Sequence, residues 1–320
     1  MSDAWPALDL LLNESDRWRA CFVRDIANVD STPREFPSLE HLRFDHSRGT
    51  QYFRRAPALC SYAGLFDEDM DLPWHQLTSV TLEAINNVGP IDIVSALACC
   101  TRATFFRAMC TAVSGKQRLV IDAECPSLRR LELVVNDFDF RSKNTRYLLP
   151  RVLDCVTAPR LTSLDIERFR KAPWNWSNKS TDALAACLDR SHTALTSLAL
   201  RNVQITPSQM CRLFKSLPAL EQLTWWETVK CHHSDLNMLA AAIGPGTESS
   251  ECPLPRLAHL EIRGNLQHSV DPQSAARIIC YRARNTALRH VVLDYCTLDQ
   301  AIRDELGELL DSFVVCGRGC

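Results

Sequence analysis

Hydrophobic residues recur along this chain in one phrase, L-x-x-L-x-Φ, where Φ is Leu, Ile, Phe or Trp. Copies begin at Leu39 (LEHLRF), Leu77 (LTSVTL), Leu128 (LRRLEL), Leu161 (LTSLDI), Leu195 (LTSLAL), Leu220 (LEQLTW), Leu257 (LAHLEI) and Leu288 (LRHVVL). A weaker copy is discernible at residues 103–108. From Leu128 onward the starts are 33, 34, 25, 37 and 31 residues apart. That spacing is too irregular for an idealised array and too frequent for chance. The fourth and sixth residues of each phrase lie two apart, so on a short strand they point to the same side and face a core.

Most phrases follow a proline or a helix-ending polar stretch, as in FPSL, CPSL, APRL, LPAL and LPRL. A breaker there turns the chain from a helix into a strand. Between phrases, helical spacing predicts helices over 146–156, 181–190, 206–217, 234–243, 272–284 and 298–313. Several open on capping chemistry: Ser180/Thr181, Thr206-Pro207 and Asp271-Pro272. Strand alternating with helix predicts an α/β solenoid, with a curved parallel sheet on the concave face and helices on the convex face. The expected division is an N-terminal helical cap over 1–35, a solenoid of about 8–10 repeats over 36–313 and a C-terminal tail over 314–320.

Composition narrows the function. With 320 residues and 46% hydrophobic content, the chain can bury a large core. A net charge of −2 and the lack of a basic run offer nothing general to nucleic acid or to acidic membranes. The longest apolar stretches, such as 93–100, are far shorter than the ~20 residues a membrane span needs. The 15 cysteines lie in a long chain that opens MSDAWPALDL without a signal segment, so reduced thiols in the cytoplasm or nucleus are expected. Only 10 glycines are present, and G-x-x-x-x-G-K-S/T, G-x-S-x-G and H-E-x-x-H are all missing. Nucleotide-dependent, serine-hydrolase and zinc-protease chemistry therefore lose their usual signatures.

The phrases resemble the leucine-rich-repeat family, whose pattern is L-x-x-L-x-L-x-x-N/C-x-L. LRHVVLDYCTL from Leu288 matches it throughout, with Val291 as an aliphatic variant and Cys296 in the Asn/Cys place. Asn136, Asn265 and Thr228 take that place in the repeats beginning at Leu128, Leu257 and Leu220. The resemblance implies a ribonuclease-inhibitor-like solenoid in which these four side chains form a turn ladder by bonding backbone groups. Phe169 and Val203 depart from the pattern, so their turns need another solution. Within the family, LDLLLNESDRW at 8–18, FPSLEHL at 36–42, LPWHQLTSVTL at 72–82 and VLDCVTAPRLTSLDI at 152–166 resemble the F-box/leucine-rich-repeat proteins of mushroom-type fungi. Such proteins carry an F-box ahead of a segment like the first of these. It docks a Skp-type adaptor of a cullin-RING ubiquitin ligase, while the repeats select the substrate. Here Met1 lies almost directly on that segment, so adaptor binding is expected only if an F-box lies upstream. The alternative is a free-standing interaction scaffold.

The third, fifth and seventh residues of each phrase are expected on the concave face. They bring Glu132, Asp165 and Glu167 near Arg201, followed by Trp226, Glu261 and Arg263. An acidic patch grading into an Arg/Trp patch has the residue types of a protein interface; a merely solvated face is the plainer reading. The 30 arginines against 6 lysines fit an interface as well as they fit codon bias. Trp174 and Trp176 suit either a binding lip or a cover over the core edge. The loop LFDEDMDL at 65–72 is either a contact for a basic partner or simply solvated. Cys231, His232 and His233 are adjacent and diverge, whereas zinc needs four converging ligands. No catalytic residue, metal site or cofactor is therefore expected. Cys187, Cys211 and Cys280 fall at equivalent helix positions and read as small buried hydrophobes, leaving Cys316 and Cys320 without a role.

Overall fold

A computed structural model of the chain describes residues 14–23, 35–44, 53–66, 70–83, 89–110, 121–135, 148–169, 174–227, 254–264, 272–294 and 298–316. Its strands are β1 Ala20–Val23, β2 His41–Phe44, β3 Ser61–Gly64, β4 Ser79–Leu82, β5 Phe105–Cys110, β6 Ala123–Glu124, β7 Arg130–Val135, β8 Val156–Thr157, β9 Ser163–Arg168, β10 Trp174–Asn175, β11 Ser197–Arg201, β12 Val203–Gln204, β13 Gln222–Glu227, β14 His259–Gly264, β15 His290–Asp294 and β16 Ser312–Cys316. Twelve of them form one sheet in the order β1-β2-β3-β4-β5-β7-β9-β11-β13-β14-β15-β16. Neighbours within it pair in parallel and follow chain order. The short pairs β6/β8 and β10/β12 stand outside it. Six described helices complete an α/β architecture: α1 Pro90–Cys99, α2 Leu148–Asp154, α3 Asn178–Ser191, α4 Pro207–Lys215, α5 Pro272–Asn285 and α6 Gln300–Leu309. From α1 to α4, and again between α5 and α6, successive helices pack on one another.

Most repeats are entered through the same hydrogen-bonded turn, whereas the Leu288 amide donates to Thr286 Oγ1 at 3.4 Å. The amide at phrase position one donates to the carbonyl three residues earlier, as in Leu39 to Phe36, Leu128 to Cys125, Leu161 to Ala158, Leu220 to Leu217 and Leu257 to Leu254. Pro37, Pro126, Pro159, Pro218 and Pro255 occupy the second residue of these turns. That position is where a fixed φ helps and no N–H is required. A carbonyl ladder follows: the amides of Thr162 and Ser163 both bond the Arg129 carbonyl, and those of Thr196 and Ser197 both bond that of Thr162. The Thr78, Thr104, Thr162 and Thr196 hydroxyls donate to the same carbonyls as their own amides, at 3.1–3.3 Å.

Positions four and six form two continuous inward rows. One runs Leu42, Tyr62, Val80, Phe106, Leu131, Leu164, Leu198, Leu223, Leu260 and Val291, all buried. In the second row Gly64 replaces a large residue, because a Cβ there would lie 2.1 Å from the Phe44 carbonyl oxygen and 2.7 Å from the Tyr62 hydroxyl. Tyr62 fills that space and donates to the Leu65 carbonyl at 2.6 Å.

Several expectations need correction. Twelve strands stack in the sheet, more than the repeats expected, because four copies of the phrase keep at most its first leucine. Trp18/Cys21/Val23, Leu59/Tyr62/Gly64, Ala103/Phe106/Ala108 and Leu310/Phe313/Val315 fill its three apolar places. The segment expected as a helical cap therefore contains β1, preceded by a single 3-10 turn at Ser15–Arg17. The expected tail contributes residues 314–316 to β16, so the last helix stops at Leu309. Helix α3 starts three residues before the expected 181. Ser177 is its N-cap, accepting from the Ser180 amide at 3.2 Å, while Ser180 and Thr181 are buried in the first turn. Helix α1 was hidden in an apolar run; Pro90 at its start and Asp92, accepting from the Gly89 amide at 2.7 Å, begin it. The helix expected over 234–243 lies outside the described residues. No described helix is long and apolar enough to cross a membrane.

Candidate functional site

The sheet's other face carries positions three, five and seven, and strand register sets what meets what. Across the middle of the sheet, position five runs Arg107, Glu132, Asp165, Ala199, Thr224 and Glu261. Position seven runs Met109, Val134, Glu167, Arg201, Trp226 and Arg263. The expected site residues Glu132, Asp165, Glu167, Arg201, Trp226, Glu261 and Arg263 thus lie on adjacent strands of one face.

They are not equally accessible. Glu132 and Asp165, expected to meet a partner, are buried. Glu132 is held by Arg130 Nη2 at 2.5 Å and Arg107 Nη1 at 3.5 Å. Asp165 Oδ2 accepts from Arg201 Nη1 at 2.5 Å, and the same nitrogen stands 3.7 Å from Glu167. Val134, at an outward position, is buried as well. Arginine side chains four or more bonds long reach across a 4.8 Å strand spacing and cover their shorter neighbours.

Burial raises the Asp165 pKa. Arg201 opposes this, while Glu132 and Glu167 reinforce it. Its Oδ1 is buried with no hydrogen-bond partner. The carboxylate is therefore held in place by one arginine and is costly to ionise without it.

Trp226 is 39% exposed. Its backbone carbonyl accepts from the Asn202 amide at 2.6 Å, and its strand neighbours in register are Arg201 and Arg263. Trp225, one residue earlier, points inward and is buried as expected. Glu261 accepts from Thr224 Oγ1 at 3.1 Å and pairs with Arg263 on its own strand.

Arg107 and Arg130 belong to the site but were not among the expected residues. Arg107 sits in the disguised phrase ATFFRA, and Arg130 occupies the third position of LRRLEL. Asn202 was also missed. It adopts a left-handed φ of 56°, and its Nδ2 donates to the Arg168 carbonyl at 2.9 Å. It serves the turn one residue ahead of the place where Val203, which is buried, breaks the family pattern. At the other departure, the Phe169 amide donates to the Val135 carbonyl at 3.0 Å and its ring is exposed. The turn-ladder residues Asn136, Thr228, Asn265 and Cys296 lie outside the described residues.

Trp176 packs into the core and donates from Nε1 to Thr181 Oγ1 at 2.9 Å. In the acidic loop, Leu65, Met70 and Leu72 are buried and Asp71 pairs with Arg54 at 3.1 Å. Cys187 and Cys280 are buried on their helices; Cys211 is partly so. Burial pushes the Cys110 and Cys125 thiols up to about 12 and that of Cys280 up to about 11, so none is a nucleophile at neutral pH. Besides Cys316, whose strand alone is described, ten cysteines are described and all ten are free thiols. Cys231, His232, His233 and Cys320 lie outside the described residues. Among the described residues, no group of three or more His, Cys, Asp or Glu is placed to hold a metal ion. An open cleft of about 450 Å³ beside Arg54, Arg55, Pro73 and His75 has both its arginines engaged, by Asp71 and Glu35.

A scan against protein-family models finds no match for the chain, and a search of curated proteins finds none either.

Proposed function

We propose that the chain is a leucine-rich-repeat domain that recognises another protein on the open face of its sheet and catalyses no reaction itself. The observation that carries this reading is Trp226, a large apolar ring left exposed between Arg201 and Arg263 in the middle of the face, where Val134 is buried. Exposed Trp flanked by Arg is the composition of interface hot spots. Parallel strands taken in chain order, most of them entered through the same turn, support the repeat reading. The phrases LDLLLNESDRW and VLDCVTAPRLTSLDI extend the proposal to the substrate-selecting part of an F-box ubiquitin-ligase receptor acting in the cytoplasm or nucleus.

Trp226→Ala combined with Arg263→Gln tests the face. The variant should lose the proteins captured by the native chain while its melting temperature stays within about 2–4 °C. An unchanged set of captured proteins would count against the open face. Arg201 is unsuited to this test, because it holds the buried Asp165 carboxylate. Co-purification with a Skp-type adaptor tests the ligase role; failure of the full-length gene product to bind the adaptor leaves a free-standing scaffold.

A further inference from the structure

Ion pairs on the open face are layered in depth. The Glu132 side chain is 10% exposed, whereas Arg107 and Arg130 above it are 40% and 52% exposed. Asp165 is 5% exposed beneath Arg201 at 28%. Glu261 beneath Arg263 and Glu83 beneath Arg43 follow the same order; Glu167, level with Arg201, is the exception. Off the sheet face the paired carboxylates are less deeply placed, 37–73% exposed, and the order varies: Arg17, Arg54 and Arg284 exceed their acids, Arg212 matches Asp182 and Glu35 exceeds Arg55. Acid and base nearly balance on this face, yet an approaching partner meets guanidinium groups first.

We propose that the open face receives an acidic, extended segment of its protein partner, whose carboxylates accept from the outward donors of Arg107, Arg130, Arg201 and Arg263 and whose apolar side chain covers Trp226. This rests on the reading of the open face as the protein-binding surface. A guanidinium carries five donors and a buried carboxylate engages only one or two of them, so the remainder can serve a second acceptor. A basic segment would have to displace arginines to reach Glu132 or Asp165, leaving buried charge unpaired. Because the deep carboxylates cancel the arginines at long range, recognition here is a short-range match rather than steering of a polyanion.

Register also sets the spacing. Arg201 and Arg263 lie two strands apart, roughly 10 Å, with Trp226 between them. An extended segment crossing the strands rises about 3.3 Å per residue. Its side chains return to the same side every second residue, so its acids should fall four residues apart, about 13 Å along an oblique crossing, with an apolar residue midway.

Selection of a displayed library of short random peptides on the native chain, with counter-selection on an Arg130→Gln/Arg263→Gln variant, tests this. Enriched peptides should be net acidic with that spacing. In fluorescence anisotropy each Arg→Gln change should weaken a synthetic member about 5- to 10-fold. Its twin with Lys in place of Asp and Glu should not bind. Glu132→Gln should tighten binding several-fold, a gain that a folding defect cannot imitate. Enrichment of basic or uncharged peptides that lose affinity on Trp226→Ala would overturn the acidic partner and leave the open face standing. Peptides unaffected by Trp226→Ala and by both Arg changes, or no enrichment over the counter-selection variant, would overturn both.

Discussion

Arg201 joins the stability of the sheet face to its recognition surface, because it is the only described group bonded to the buried Asp165 carboxylate. Removing one member of a buried pair leaves the other charge uncompensated. Arg201→Ala should therefore cost about 2–3 kcal/mol in denaturant unfolding, discounted for the arginine's partial exposure, and adding Asp165→Asn should recover most of that. If the double variant is as unstable as the sum of the singles, the pair is not coupled as described. Asp165 also predicts a pH dependence. Its folded pKa lies above the ordinary 3.8, chiefly through burial, so the fold binds its proton more tightly than the unfolded chain does. Stability from this group is fully present below the ordinary value and is lost as pH rises through the folded value. Unfolding measured from about pH 4 to pH 7 should show the native chain losing stability relative to Asp165→Asn as pH rises; a difference independent of pH would refute the assignment. Neither the depth of this carboxylate nor the choice of Asn202 over Val203 was legible in the sequence. Depth depends on how long side chains 30 or more residues away lean across the strands. The turn solution depends on one left-handed residue.

At the scale of the element, the sequence was most legible where leucine opens the phrase and a large apolar residue fills its fourth and sixth places. Those eight strands and the start of α4 at Thr206-Pro207 lie where expected, since period-two burial and a capping box are local signals. Four strands were missed or weakly seen because Trp18, Cys21, Tyr62, Gly64 and Ala103 do the packing that leucine does elsewhere. Gly64 can do so only because Phe44 and Tyr62 occupy the missing volume. The proline-led turns separate two contributions that sequence cannot rank. Pro159 acts by restricting the unfolded chain, whereas Leu161 fills a fully buried site. Pro159→Ala should cost about 0.5–1 kcal/mol and Leu161→Ala about 3 kcal/mol. Equal losses in chemical denaturation would show that the turn is held by more than its φ restriction.

The whole molecule inherits its stability from neighbours along the chain. Each strand of the sheet is hydrogen-bonded only to the strands before and after it in the order of the fold, and packed helix pairs follow the same sequence. In such an array the stability of a segment is its own contribution plus two interface terms. Among the described residues β1 and β16 each lack one of those terms, and their outward Phe22 and Val314 are exposed. Opening free energy should therefore be graded along the sheet. Amide hydrogen exchange under native conditions should find β7, β9 and β11 most protected, since helices α2 and α3 also pack together behind them. Protection should fall towards β1 and β16. Leu164→Ala should lower it most in β7, β9 and β11 and leave β16 nearly unchanged. Uniform protection, or an equal loss at β16, would mean that the twelve strands open as one cooperative unit. In that case a partner bound at Trp226 would stabilise the distant edges as much as the strands it touches, and local exchange could no longer map the binding site.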